Sequence, residues 1–420
     1  MQLKTIAKYS VVLSIIPALY NAFFPGKIAL ISLICIFPLL MGVLFSLNKK
    51  IPTNFDGIVY VKFFIIYYII VLIRGLIGAT SYKDWTVLFS NTIPLILILH
   101  FTLFIGAYMS TVQTLIRAFL LYGIPLCLIL YLISGDDPTP YGFTHTVAPI
   151  SFMLLLTPYI SKKLKIVIFS IAIFSFTSDF ANRSNLLNIL IAFVILLSFI
   201  FRNVPLVFRA YKSIRSIVLI LPVLFLFLGA TGVFNIFLIG DYLGNYTTQD
   251  LRGTNEDVLG DSRTGIYKDV FSQLINEDAI LFGLGSSGKV KSYLSDYDDS
   301  NTLLKEGRRD TESGMLNYIQ WGGLVGGLLY FLLFVKASYY GIYKSSNWLC
   351  KMLGLWLVYK GMFSFIEDPV FFSIGSIFIF FTISICLNKE FRLMNDIELK
   401  AMFSSMFNKK RKIRINYKTY

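Results

Sequence analysis

The sequence predicts an all-α polytopic membrane protein of about twelve transmembrane helices with one long external loop. Hydrophobic residues make up 56% of the chain and charged residues 15%, and mean hydropathy is +0.69, values that exclude an ordinary soluble domain. Apolar runs of about 20 residues, enough to cross ~30 Å of hydrocarbon, recur along the chain. Between two of them lies one polar stretch, residues 240–311, which gathers most of the free polar chemistry.

The candidate spans lie near 8–25, 27–47, 58–78, 86–107, 112–133, 143–160, 164–179, 185–201, 216–239, 313–335, 347–365 and 370–387. The run at 164–179 is short, so ten to twelve spans bracket the expectation. Lys4 and Lys8 precede the first run, Pro17 interrupts it, and no small-residue cleavage pattern follows. It reads as a retained span and not as a signal peptide. Four regions result: an N-terminal transmembrane bundle over 1–239, the external loop over 240–312, C-terminal transmembrane helices over 313–388 and a basic tail over 389–420.

Charge sets the expected orientation. Lys4 and Lys8, Lys49 and Lys50, Lys162, Lys163 and Lys165, Arg202, Arg209, Lys212 and Arg215, Lys336 and Lys344, and the tail Lys409–Arg414 fall on one side. The positive-inside rule makes that side cytoplasmic, with both termini inside and the long loop outside. Asp56, Glu390, Asp396 and Glu398 are the only acidic residues assigned to it. The net charge of +14 therefore reads as a topological signal and not as a nucleic-acid footprint; the tail can also meet anionic headgroups. Tyr339, Tyr340, Tyr343 and Trp348 fit an interfacial aromatic belt at the cytoplasmic rim.

Within the loop, residues 264–277 (TGIYKDVFSQLINE) put Ile266, Val270, Phe271 and Leu274 on one helical face, which predicts an amphipathic helix on the membrane surface or capping the bundle. FGLGSSG then turns the chain, and a polar, acidic stretch leads back to the membrane. Gly283, Gly285 and Gly288 spell GxGxxG, but no βαβ pattern surrounds them, so a turn is expected and not a dinucleotide site. Asp136 and Asp137 precede Pro138 and Pro140 and read as a turn, with a cation or sugar site as the competing reading. Cys35, Cys127, Cys350 and Cys386 show no paired spacing and read as packing residues; two histidines, His100 and His145, are too few and too far apart for a zinc site. Neither a metal nor another cofactor is expected.

Arginines at a membrane edge are the sharper signal. An unpaired one costs roughly 2.5–3.5 kcal/mol at a span centre, so it usually pairs or faces a cavity. Arg74 stands near the outer end of the third span and Arg183 at the outer start of the eighth; Arg252 and Arg263 come from the loop, and Arg308 and Arg309 precede the tenth span. A forked, permanently charged donor suits a phosphate or pyrophosphate at headgroup level. Snorkelling and salt bridges to nearby carboxylates compete with that reading for any one of them.

The block from Thr311 to Leu329, TESGMLNYIQWGGLVGGLL, resembles the segment closing the long external loop of the Wzy-type O-antigen polymerase and O-antigen ligase superfamily. DSRTGIYKDVFSQLINEDAILFGLGSSG is similar to that family's loop pattern of an arginine, a helix and a glycine-ended apolar run, and ANRSNLLNILIAF resembles its arginine-serine helix start. The resemblance implies a GT-C-like bundle in the bacterial inner membrane that transfers a glycan from undecaprenyl pyrophosphate to an acceptor without a metal. The partners it implies are the lipid-linked oligosaccharide, membrane lipids and a chain-length regulator. It assigns Arg183 and Arg263 to the leaving pyrophosphate, with Arg74 as a third; Arg252, Arg308 and Arg309 are binding candidates by their place at the external membrane edge. Glu312 falls where ligases carry a histidine, which favours polymerase over ligase. A glutamate side chain titrates near about 4.3 and is ionised at neutral pH, so Glu312 is a candidate base; helix capping or pairing with an arginine is its alternative. Glu367 and Asp368 are second candidates for the base, and His145 is a candidate substrate contact. A polysaccharide or lipid-linked sugar flippase is the competing class, which usually shows related halves and helices interrupted near the midplane; no internal repeat is evident.

Overall fold

A computed structural model describes residues 3–23, 40, 42–44, 46–133, 147–178, 183–231, 233, 247–249, 255–257, 263–291, 307–311, 313–367 and 372–407. Their regular structure is helical apart from one short antiparallel ladder, Thr247–Gln249 with Asn255–Asp257. We number the helices α1 (Leu3–Phe23), α2 (Ile58–Gly78), α3 (Tyr82–Ala107), α4 (Met109–Ala118, continuing to Ile133), α5 (Ile150–Leu156), α6 (Lys162–Ser178), α7 (Arg183–Ser198), α8 (Pro205–Ala230), α9 (Arg263–Asn276), α10 (Gly314–Tyr343), α11 (Trp348–Phe363), α12 (Ile374–Leu387), α13 (Lys389–Leu393) and α14 (Asp396–Ser404).

Among the described residues five helices are long and apolar enough to cross a membrane: Ile58–Gly78, Tyr82–Ala107, Met109–Ile129, Pro205–Gly229 and Gly314–Tyr343. The chain is that of a membrane-embedded, all-α protein. Ile150–Tyr159, Ser184–Ser198 and Ile374–Leu387 are shorter apolar helices. Caps account for part of the shortening. Asn347 accepts from the Cys350 N–H and starts α11, while Ser373 forms a reciprocal capping box with Ser376 and starts α12.

Both α12 and the Ile93–Ala107 part of α3 are buried along their entire length and pack on each other. A helix apolar on every face belongs inside a bundle, and α10 and α11 complete that centre. On its outer side α8 exposes Ile214, Ile217, Ile220, Val223 and Phe227, the surface a lipid-facing helix presents.

Two helices widen by one π turn, at Leu88–Thr92 and Phe119–Gly123. Each turn is followed after one residue by a proline, Pro94 and Pro125. A proline lacks the N–H and crowds the carbonyl four residues back, and a wider turn relieves that clash. The first turn has a structural use: Asn91 Oδ1 accepts the Phe372 N–H at 2.7 Å, tying α3 to the start of α12.

Polar side chains collect at the two ends of this bundle. At one end, Asn388 Nδ2 donates to the Gly106 carbonyl (2.7 Å), Asn347 Nδ2 donates to the Phe391 and Met394 carbonyls, and buried Arg392 pairs with Asp56 while Nη1 donates to Lys344 O (2.8 Å). Tyr159 donates to Asp396 there. Asp56 and Asp396, both assigned to the basic side, thus sit with Lys344, Lys389 and Arg392. The loop segments lie at the opposite end, against Gly78, Gly314 and Ser364. Cys127, Cys350 and Cys386 are buried and form no disulfide among the described residues.

Candidate functional site

The loop end is built around a break in α10. Gly323 has φ 65° and ψ −166°, which is not helical, and a broken helix leaves carbonyls on one side and N–H groups on the other without partners. The segment 280–285 replaces them. Leu284 and Gly285 N–H donate to the Gln320 and Trp321 carbonyls (2.8 and 3.0 Å), and Leu324 and Val325 N–H donate to the Ile280 and Leu281 carbonyls (2.9 and 3.3 Å). From α2, Tyr67 donates to Gly322 O and Tyr68 to Tyr318 O. Irregular backbone is tolerated at membrane depth only when it is satisfied in this way. The GxGxxG run is a turn, with φ 69° at Gly283 and 82° at Gly285.

Arg74 clamps that strap from α2. Nη1 and Nη2 donate to the Phe282 and Gly283 carbonyls, both at 2.7 Å, and Ser287 Oγ donates to Gly75 O at 2.8 Å. Residues 307–311 lie alongside, with Val290 and Arg308 exchanging both backbone hydrogen bonds at 2.8 Å. Gln320 and Trp321 side chains donate to the Arg309 carbonyl.

Electrostatics here centre on Asp84, whose side chain is 1% exposed. Arg309 Nε lies 2.7 Å and Lys289 Nζ 3.1 Å from Asp84 Oδ1. The other oxygen accepts the Ser81 N–H at 3.0 Å, while Ser81 Oγ caps the helix by accepting the Asp84 N–H. Both oxygens of this buried carboxylate are thereby satisfied by donors of the protein itself. The sequence reading missed this centre, although Ser81-Tyr82-Lys83-Asp84 before an apolar run is a capping-box pattern.

A second focus is the Phe365 carbonyl. Tyr267, one turn after Arg263 in α9, donates to it at 2.7 Å, and Ser313 Oγ reaches it at 3.2 Å and the Ser364 carbonyl at 2.9 Å. On the other side of Glu312, Thr311 N–H and Oγ donate to Asn317 Oδ1, and Asn317 Nδ2 donates to Thr311 O. Both neighbours of Glu312 are therefore pinned, and Glu367 follows Phe365 by two residues.

The structure brings Arg74, Arg308, Arg309 and Lys289 to one strap, and Tyr267 of α9 and Ser313 to one carbonyl; the Glu367 N–H donates to the Phe363 carbonyl nearby at 2.8 Å. Arg308 is half-buried beside the Asp310 carboxylate. Glu312, Arg252, His145, Asp368, Asp136 and Asp137 lie outside the described residues, as do the side chains of Arg183 and Arg263; the backbones of those two arginines open α7 and α9. The buried face of α9, Ile266, Val270 and Leu274, packs on α10, so α9 caps the bundle. His100 is buried inside α3 with Nε2 at 2.9 Å from Ser46 O. Among the described residues no three His, Cys, Asp or Glu side chains gather.

No protein-family model, curated protein or solved structure matches this chain.

Proposed function

We propose that the protein is a polysaccharide polymerase of the bacterial inner membrane: a glycosyltransferase that moves a glycan from undecaprenyl pyrophosphate onto the non-reducing end of a lipid-linked repeat unit at the outer face. In this reading about twelve spans form a GT-C-like bundle with both termini cytoplasmic. The observation that carries it is the shared Phe365 carbonyl, which ties Tyr267, one turn beyond Arg263, to Ser313, next to Glu312. The two residue types that the chemistry needs, a guanidinium and a carboxylate, thereby belong to segments joined at one point of the loop end.

An acceptor hydroxyl oxygen attacks the anomeric carbon of the donor, the bond from that carbon to pyrophosphate breaks, and lipid pyrophosphate leaves with the electron pair. Glu312 takes the hydroxyl proton late in the step, since a carboxylate is a weak base toward an alcohol. Arg183 and Arg263 stabilise charge growing on the diphosphate, where fixed donors in a water-poor site contribute most. Direct displacement inverts the anomeric centre. Arg74 and Arg309 have a different part: their donors hold the strap and Asp84, so they position the loop.

The test uses purified protein with lipid-linked repeat units, scored for a ladder of products. Arg263→Ala, Arg183→Ala and Glu312→Gln should each lower polymer formation at least about 100-fold at unchanged membrane abundance. Full-length polymer from all three variants, or retention at the new linkage, would overturn the assignment. Product formed only when a lipid A core acceptor is supplied would make the protein a ligase.

A further inference from the structure

At the end of the bundle opposite the loop, three cations share an aromatic floor. Lys212 Nζ stands over the rings of Phe208 (4.4 Å) and Tyr343 (5.4 Å). Lys351 Nζ stands over the same Phe208 ring (5.1 Å) and over Trp348 (4.9 Å). The Arg215 guanidinium lies 5.6 Å from the Tyr343 ring, with Nη2 donating to Val335 O (2.8 Å) and Nε to Ser338 Oγ (3.2 Å). All three side chains are half-buried, so water screens them incompletely and their mutual repulsion is not negligible.

None of the three forms an ion pair with a described carboxylate. One acid, Asp396, acts on Lys351 from a distance and is held by Tyr159 Oη and the Trp348 N–H. Residues 408–420 contain no Asp or Glu. Aromatic faces attract a cation, which offsets the crowding in part and leaves a net positive site. The cluster also adjoins apolar surface: Ile214 and Ile217, interleaved with Lys212 and Arg215 in α8, are exposed, and the exposed face continues through Ile220 and Val223.

From this geometry we infer that the seam where α8 meets α10 and α11 is a binding site for the phosphate headgroup of an anionic phospholipid, held by Lys212, Arg215 and Lys351, with the acyl chains along the apolar face of α8. A phosphodiester supplies the missing negative charge, the rings fix the cations around it, and the hydrocarbon beside them fits a lipid better than a soluble anion. The inference rests on the chain being membrane-embedded and does not depend on the transferase reading.

Detergent-solubilised full-length protein is titrated with phosphatidylglycerol, with phosphatidylcholine, and with inorganic phosphate, and bound lipid is read by native mass spectrometry alongside Tm. Phosphatidylglycerol should bind and raise Tm, and the other two should not. Lys212→Gln, whose ammonium makes no hydrogen bond to the protein among the described residues, should weaken phosphatidylglycerol at least about tenfold, which is about 1.4 kcal/mol, with Tm in lipid-free detergent not lowered. The triple Lys212→Gln/Arg215→Gln/Lys351→Gln variant should lose the response, and Lys409→Gln/Lys410→Gln in the tail should keep it. Equal stabilisation by phosphatidylcholine, a full effect from inorganic phosphate, or an undiminished response in Lys212→Gln would each overturn the inference.

Discussion

At the residue scale, two glycines and one carboxylate decide whether the loop end forms. A Cβ on Gly323 would lie 2.3 Å from the Leu281 carbonyl, and one on Gly283 would lie 2.4 Å from the Gly323 nitrogen; both residues have positive φ. The backbone conformation alone costs an ordinary residue about 1–3 kcal/mol, and neither neighbour is a side chain that can turn away. Gly323→Ala and Gly283→Ala should lower Tm in detergent by several degrees and reduce membrane abundance. Gly265→Ala is the control, since its Cβ meets nothing within 4 Å and helix propensity favours alanine by up to about 1 kcal/mol. A Gly323→Ala protein as stable as Gly265→Ala would mean that the break is not needed. For Asp84 the two cations differ: the Arg309 side chain is 7% exposed and the Lys289 side chain 33%. Removing the buried partner strands a buried charge, at about 3–5 kcal/mol, whereas a part-exposed amine contributes about 1 kcal/mol or less. Arg309→Met should therefore be much more destabilising than Lys289→Met by thermal unfolding, and adding Asp84→Asn to Arg309→Met should recover part of the loss.

At the scale of elements, the strap over 280–288 is joined to α2 and α10 by hydrogen bonds, each worth about 0.5–1.5 kcal/mol net. Two of them come from the Arg74 fork. Arg74→Ala should raise amide hydrogen exchange within 280–288 and around the α10 break while leaving exchange in α12 unchanged; Arg74→Lys should recover little, because an ammonium cannot reproduce two parallel donors. Uniform loosening of the bundle would show that Arg74 acts globally and not on the strap. Much of the helical framework was legible: apolar runs located the long helices except α8, which begins at Pro205 and takes Arg209, Lys212 and Arg215 into the helix where the sequence suggested a span near 216–239, and Ile266, Val270 and Leu274 marked the buried face of α9. The break was not. In WGGLVGGLL a helix with small packing residues reads the same as a helix interrupted at one glycine, and what separates them is a strap forty residues upstream. Asp84 and Arg309 are 225 residues apart, and a pairing that distant leaves no periodicity to detect. The π turns are an intermediate case, since a proline inside an apolar run signals a disturbed ladder without saying which way it is relieved. For the proposed site, the sequence singled out arginines by type and expected position, but it could not show that Arg74 and Arg309 donate to the protein itself.

For the whole molecule, the decisive property is that the two ends differ in kind. Central helices alternate between them: α2 runs from the Asp56 end to the strap, α3 returns to Gly106 beside Asn388, α10 descends from Ser313 to Lys344, α11 climbs from Asn347 to Ser364, and α12 returns to Asn388. The basic residues concentrate at the Asn388 end, so the positive-inside rule predicts that this end is cytoplasmic. Two exposed positions read the orientation directly. Ile275 in α9 is 60% exposed at the strap end and Ile397 in α14 is 81% exposed at the basic end. With Cys35, Cys127, Cys350 and Cys386 replaced by alanine or serine, Ile275→Cys should react with a membrane-impermeant maleimide in intact cells whose outer barrier is opened. Ile397→Cys should react only after the inner membrane is permeabilised. The reverse labelling pattern would place Arg263 and the flanks of Glu312 in the cytoplasm. A transferase that takes its donor from the outer leaflet cannot work from there, so that result would remove the proposed polymerase while leaving the fold, the break in α10 and the Asp84 centre intact.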